Sequence, residues 1–231
     1  QVQALSEICE RYVKIKVIKE AITLPKIPED ALNEFETIYS DIQTLREKGY
    51  FIDVFDASLG GKFPVCAISL INPKMHTLFV SFGAHPIFEV AFERTLTELM
   101  QGRDLDCLDD FERPTFDRDV IEDSLNIESH FIDSNGKIGI ELLKASPDFE
   151  YCNWPYNGTT IDDEHLYLLE IFTSLNKKVY ARNYNYLGID STQIIVPGVS
   201  EIYPIEDMVY NNKNSGKFVR DVILNLYTLD P

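Results

Sequence analysis

Pro64-Val65-Cys66-Ala67-Ile68-Ser69-Leu70-Ile71 carries no charge and one hydroxyl. A run this short and this apolar reads as a central strand covered on both faces. Before it, Phe51–Ala57 alternates Phe51, Asp53 and Phe55 against Ile52, Val54 and Asp56, with large residues on both sides. After it, His76–Phe82 reads as a third strand. The link Ser58-Leu59-Gly60-Gly61-Lys62 is short enough for a hairpin. A Gly-rich loop can cradle phosphate, but this one joins two strands and opens no helix, so it reads as a turn. Gly83-Ala84-His85-Pro86 then leads into the strongest helical pattern of the chain, about 86–101, with Pro86 suited to the first turn and Gly102 to the end. The fold class expected is α/β, a mixed sheet with antiparallel pairs flanked by helices.

Outward from this block, residues 2–14 fit an amphipathic helix. Leu5, Ile8, Cys9, Tyr12 and Val13 form its apolar side, and Glu7, Glu10, Arg11 and Lys14 its polar side. Pro25 and Pro28 break the chain. Glu29 and Asp30 open a second helix, with Leu32, Phe35, Ile38, Ile42 and Leu45 on one face and Gly49 as its stop. Residues 103–160 are acidic and aperiodic. Asp162–Ser174 reads as a helix, Lys178–Tyr184 and Thr192–Val196 as strands, and Asn214–Leu226 as a last helix. A helical pattern is already running at Gln1 with no capping residue before it. The expectation is therefore a domain truncated at its N-terminus, with residues 1–231 the C-terminal part of a single catalytic domain in a longer protein.

The 231 residues carry a net charge of −17. Nucleic-acid backbones and anionic membrane surfaces both require basic protein surface, so direct binding to either is not expected. No apolar run is long enough to span a bilayer. An anionic nucleotide could bind if a metal ion offset its charge and that of nearby carboxylates. Cys9, Cys66, Cys107 and Cys152 form no CxxC pair and no zinc pattern. Cys9 and Cys66 lie in apolar segments as small core residues, and reduced thiols point to a cytoplasmic protein.

Three constellations could carry chemistry. Glu7, Glu10 and Arg11 share one helix patch. Magnesium takes oxygen ligands and arginine matches phosphate oxygens, so the patch has the ingredients of a nucleotide–metal site. It is equally the composition of a solvated face with a Glu7–Arg11 ion pair. On the helix at 86–101, Arg94 points the same way as the stripe of Ile87, Val90 and Ala91, and Glu98 and Gln101 continue that direction. Either Arg94 pairs with Glu98, or this face lines a polar cavity. His85, at a strand-to-helix junction, could be a base or a phosphate donor, or a loop histidine satisfied by the backbone. His76, His130 and His165 are isolated, no nucleophile elbow is present, and Trp154 reads as a loop anchor.

Ala4-Leu5-Ser6-Glu7-Ile8-Cys9-Glu10-Arg11-Tyr12 resembles the helix motif of the YcaO family, two glutamates followed by arginine. Gly83-Ala84-His85-Pro86 with Ala91, Arg94, Thr95, Glu98, Leu99 and Gln101 resembles its second signature. Residues 192–204, with Phe131-Ile132-Asp133-Ser134 and Gly158-Thr159-Thr160, resemble the enterobacterial branch. The resemblance implies a YcaO-like fold that binds ATP with Mg2+ and activates a peptide backbone amide by phosphorylating its oxygen. By motif position it implies Glu7 and Glu10 as magnesium ligands and Arg11 and Arg94 as phosphate contacts, with Glu98 and Gln101 unassigned.

The enterobacterial branch is linked to β-methylthiolation of a small-subunit ribosomal protein. That implies a peptide or protein substrate, a methylthiotransferase as possible partner, and a homodimer. The N-terminal portion of the family's pattern, which should supply further nucleotide contacts, has no counterpart here. The other reading is a non-catalytic docking module for a partner modification enzyme.

Overall fold

The computed structural model describes residues 1–200 apart from 105–107, 109, 133 and 155. Cys107, the helix expected at Asn214–Leu226, and the last four residues of the 192–204 motif lie outside the described residues. At the centre, β1 (Phe51–Asp56), β2 (Val65–Asn72) and β3 (Thr77–Ala84) form an antiparallel sheet in that order. The register sets Asp56 against Cys66 and Val65 against Ala84. The uninterrupted apolar run is explained by burial on both sides. Val65 and Ala67 enter one core with Val80 and Phe82, while Ile68 and Leu70 enter the other with Phe79.

Helices α1 (Val2–Glu20) and α7 (Ile161–Ser174) cover the first face, through Leu5, Cys9, Val13, Leu168 and Phe172. Helices α3 (Glu36–Glu47) and α4 (Phe88–Met100) cover the second, through Ile42, Leu45, Phe92 and Leu99. Both Cys9 and Cys66 are free and buried, as small apolar residues would be. Helix α7 opens on a capping box, Thr160 with Asp163.

Several boundaries differ from the sequence expectation for identifiable reasons. Helix α1 runs to Glu20 rather than residue 14, because Val17 and Ile18 continue the buried stripe. It stops at Ala21, in the left-handed conformation at φ 50°. The expected single helix at 29–49 is two, α2 (Glu29–Asn33) and α3. Phe35 leaves helical geometry between them, and its ring meets Phe88 and Phe92 edge-on, at 5.2 and 6.3 Å. His76 is a turn residue at φ 57°, so β3 begins at Thr77. The aperiodic region holds two short helices, α5 (Arg118–Glu122) and α6 (Ser124–Ile132). Strands β4 (Tyr180–Tyr186) and β5 (Ile189–Ile195) pair as an antiparallel hairpin with β4 fully exposed.

Two details position the functional region. The Gly-rich link is a self-satisfied turn: Asp56 Oδ1 accepts from Ser58 N, and Ser58 Oγ accepts from Gly61 N, both at 2.8 Å. Two of its amides are thus engaged with nearby side chains, and the Lys62 amide donates to Ser58 O. Gly83, on β3, lets α4 settle directly on the sheet. A Cβ there would lie 2.3 Å from Thr95 Oγ1 and 2.8 Å from both Ala91 O and Thr95 N. Thr95 is fully buried in that contact, where its carbonyl accepts from Ser81 Oγ and its hydroxyl lies 2.9 Å from Cys66 Sγ.

Candidate functional site

Strand β3 is the last strand of its sheet, with α1 on one face and α4 on the other. The two helices meet around this strand. Residues 3, 7, 10 and 14 are spaced four, three and four apart, which places them along one side of α1. Arg94, on α4, reaches across and donates to Glu7 Oε1 at 3.0 Å and to Gln3 Oε1. Gln3 Nε2 in turn donates to Glu7 Oε1 at 2.7 Å. The guanidinium fork therefore clasps two side chains of α1. Glu7 pairs with Arg94 and not with Arg11, which excludes the simple helix-surface ion pair.

Glu10 lies deeper. Burial pushes its carboxyl up to about 7; Glu7 and Glu98 push in the same direction, while Lys14 and Arg94 oppose. Among the described residues nothing hydrogen-bonds or ion-pairs directly with this carboxylate. Lys14, assigned by the sequence to the polar side of its helix, is 5% exposed. Its Nζ donates to His130 O at 2.8 Å and lies over the rings of Phe82 and Phe131 at 5.9 and 5.4 Å. Burial lowers its pKa, and the nearby Glu10 and Glu98 work against that. Glu98, one turn beyond Arg94, accepts from Ser134 Oγ at 3.1 Å.

The sequence-assigned residues divide accordingly. Glu7, Glu10, Arg94 and Glu98 act on one another. Arg11 follows Glu10 but is exposed, on the shoulder of the cluster, its charge felt at Lys14. Gln101 lies past the end of α4, exposed beside the groove between α3 and α4. His85 is held by its own loop: Nδ1 accepts from Ile87 N at 3.1 Å, and Nε2 faces Glu164 Oε2 at 3.6 Å. Burial lowers its pKa. Trp154 anchors the adjoining segment, donating to Pro86 O at 2.6 Å and packing on Phe88. Gln3 and Lys14 were not singled out from the sequence, although their spacing with Glu7 and Glu10 was legible.

The donor set suits a magnesium–nucleotide complex. Mg2+ is bound by one or two carboxylates and completed by phosphate oxygens and waters, and arginine forks match phosphate. Among the described residues, no group of three His, Cys, Asp or Glu side chains closes around a metal position. The arrangement among them is two carboxylates, Glu7 and Glu10, near Arg94. The buried hydroxyl of Ser6, one turn before Glu10, also lacks a partner among the described residues.

The profile of the family described as "YcaO cyclodehydratase, ATP- and Mg2+-binding" matches residues 1–200. The chain belongs to the YcaO family. It is 49% identical over 226 residues to an uncharacterised protein of Haemophilus influenzae, and 46% identical to the ribosomal protein S12 methylthiotransferase accessory factor YcaO of Escherichia coli. Each alignment covers 98% of this chain and 38% of the relative, so the chain spans well under half the length of these YcaO proteins.

Among solved structures, a heterocyclase in complex with substrate and cofactor superposes with a TM-score of 0.64 at 17% identity, over 86% of this chain and 26% of that one. The heterocyclase TruD gives 0.61 at 16%, over 86% and 27%. At such identities the likeness establishes the YcaO-type heterocyclase fold.

Proposed function

We propose that this chain is the C-terminal part of a YcaO domain that activates a peptide backbone amide with ATP and Mg2+. The substrate would be a peptide or protein in the branch linked to β-methylthiolation of a small-subunit ribosomal protein. The observation that carries this reading is the clasp of Arg94 on Glu7 and Gln3, with the Glu10 carboxylate set beside it and left without a direct partner among the described residues. Glu7 and Glu10 would hold the metal, Arg94 would bind phosphate from within the cluster, and Arg11 would bind it from the exposed shoulder.

The bound nucleotide would supply the phosphoryl group that turns an amide oxygen into a leaving group. The chain's own part is positioning and charge neutralisation, which requires no covalent enzyme intermediate. To meet phosphate, Arg94 would have to release Glu7 and Gln3, which would leave the Glu7 carboxylate available to a cation. The family's description and the heterocyclase fold support this reading. The name of the Escherichia coli relative favours a cytoplasmic setting and a methylthiotransferase partner.

That same name, an accessory factor, also favours a second reading in which the domain docks a modification enzyme and performs no chemistry itself. Calorimetric titration of the full-length protein with ATP and Mg2+ tests the site, comparing wild type with Glu7→Gln, Glu10→Gln and Arg94→Ala. Affinity should fall on the order of tenfold or more in each, the effect of deleting one charge-assisted contact. Equal affinity across all four proteins removes the site. ATP turnover that is absent, or that Glu10→Gln leaves untouched, favours the docking module.

A further inference from the structure

Lys14, like Glu98, is a charged group of the cluster that the proposed chemistry leaves unused. It is 5% exposed, and a buried ammonium is costly unless its environment is built for it. The environment here comes from four elements. The His130 carbonyl and the Phe131 ring meet it from α6 and the Phe82 ring from β3, while Glu10 and Arg11 on α1 and Glu98 on α4 act on it through their charges. A carbonyl acceptor and two aromatic faces are the surroundings of a cation.

The sign of this arrangement matters. Glu7 and Glu98 add their charges to that of Glu10, and Glu7 and Glu10, the two proposed ligands, would draw a divalent cation toward them. Arg94 neutralises Glu7 through direct contact. Lys14, one turn after Glu10 on α1, makes no ion pair with Glu10 or Glu98 among the described residues and acts on both by its charge from a fixed, buried position. A cation entering beside Glu10 must do so against that ammonium. An anionic polyphosphate entering with the cation is attracted by it. Lys14 thus works against the metal alone and in favour of the metal with its nucleotide.

We propose that Lys14 is a positioning residue whose fixed charge opposes a cation arriving beside Glu10 on its own and so couples entry of the metal to that of the nucleotide. This rests on the assignment of Glu7 and Glu10 as ligands. Its test uses the full-length protein and Mn2+ alone, with free Mn2+ counted by electron paramagnetic resonance and no nucleotide present. Lys14→Met removes both the charge and the donor. Lys14→Gln removes the charge and keeps a donor for the His130 carbonyl, and Lys14→Arg keeps the charge.

Mn2+ should bind Lys14→Met and Lys14→Gln on the order of tenfold more tightly than wild type, the scale on which one neighbouring charge alters a carboxylate's affinity for a proton. Lys14→Arg should stay with wild type, and the gain should vanish in Lys14→Met combined with Glu10→Gln. A purely structural lysine would lower thermal stability and leave Mn2+ affinity unchanged in the folded Lys14→Gln protein, and that result overturns the proposal. Failure of the ligand assignment shows separately, as magnesium–ATP affinity in Glu10→Gln equal to wild type.

Discussion

Lowering the pH should weaken the fold through His130, a residue in direct contact with the ammonium of the proposed site. Its side chain is 2% exposed, with Nε2 3.3 Å from Lys137 O. A Cβ at Gly136 would lie 2.6 Å from that same nitrogen, so the ring is closely enclosed. Burial, with the charge of Lys14 adding to it, lowers the His130 pKa from 6.5 to about 4. Above pH 6.5 the ring is neutral folded or unfolded and contributes no pH dependence. Below 6.5 the unfolded chain takes up a proton that the folded chain refuses until the pH nears 4, so stability is lost as pH falls across that window.

The shift from 6.5 to about 4 corresponds to about 3 kcal/mol in total, of which about 2 kcal/mol is lost by pH 5. Glu10 works in the opposite sense: its pKa is raised from 4.5 to about 7, so its contribution falls as pH rises through that range. The wild-type profile therefore mixes both, and the difference from a His130→Asn variant isolates the histidine. Urea unfolding of both proteins at pH 8 and pH 5 is the assay. His130→Asn should cost stability at pH 8 through lost packing, and that cost should shrink by about 2 kcal/mol at pH 5. A cost that stays the same at both pH values refutes the reasoning.

Gly83→Ala should destabilise the protein by at least about 2 kcal/mol in chemical denaturation, because the new methyl meets backbone atoms of α4 that cannot swing aside. It should also weaken magnesium–ATP binding, since Arg94 precedes Thr95 on the displaced helix; unchanged stability would show that α4 has room to shift. Trp154→Phe keeps an aromatic ring against Phe88 but loses the donor to Pro86 O, and should cost about 1 kcal/mol by the same measurement. An unaltered unfolding midpoint would mean that the indole hydrogen bond anchors nothing.

The fold's centre was legible because local pattern and final environment agree there. Pro64–Ile71 is apolar at nearly every position, and it became the strand buried on both faces. The three-strand order follows from links too short for crossovers. Elsewhere local pattern and tertiary packing part company. Phe35 fits the periodicity of one long helix, yet its ring is drawn to Phe88 and Phe92 and the helix breaks. The two short helices within 118–132 have little hydrophobic periodicity to announce them.

At the site, the sequence by itself determined which chemical groups exist and which share a helix: two glutamates three apart on α1, and an arginine and a glutamate four apart on α4. Helical periodicity fixes such neighbours within one element, so their grouping needed no structure. Only the tertiary structure decided that α1 and α4 bring these groups together around β3, that Arg94 rather than Arg11 takes Glu7, and that Lys14 is buried. Those outcomes depend on helix packing across a sheet, including the missing side chain at Gly83. Contacts between residues more than eighty positions apart leave no signature in the spacing of either helix.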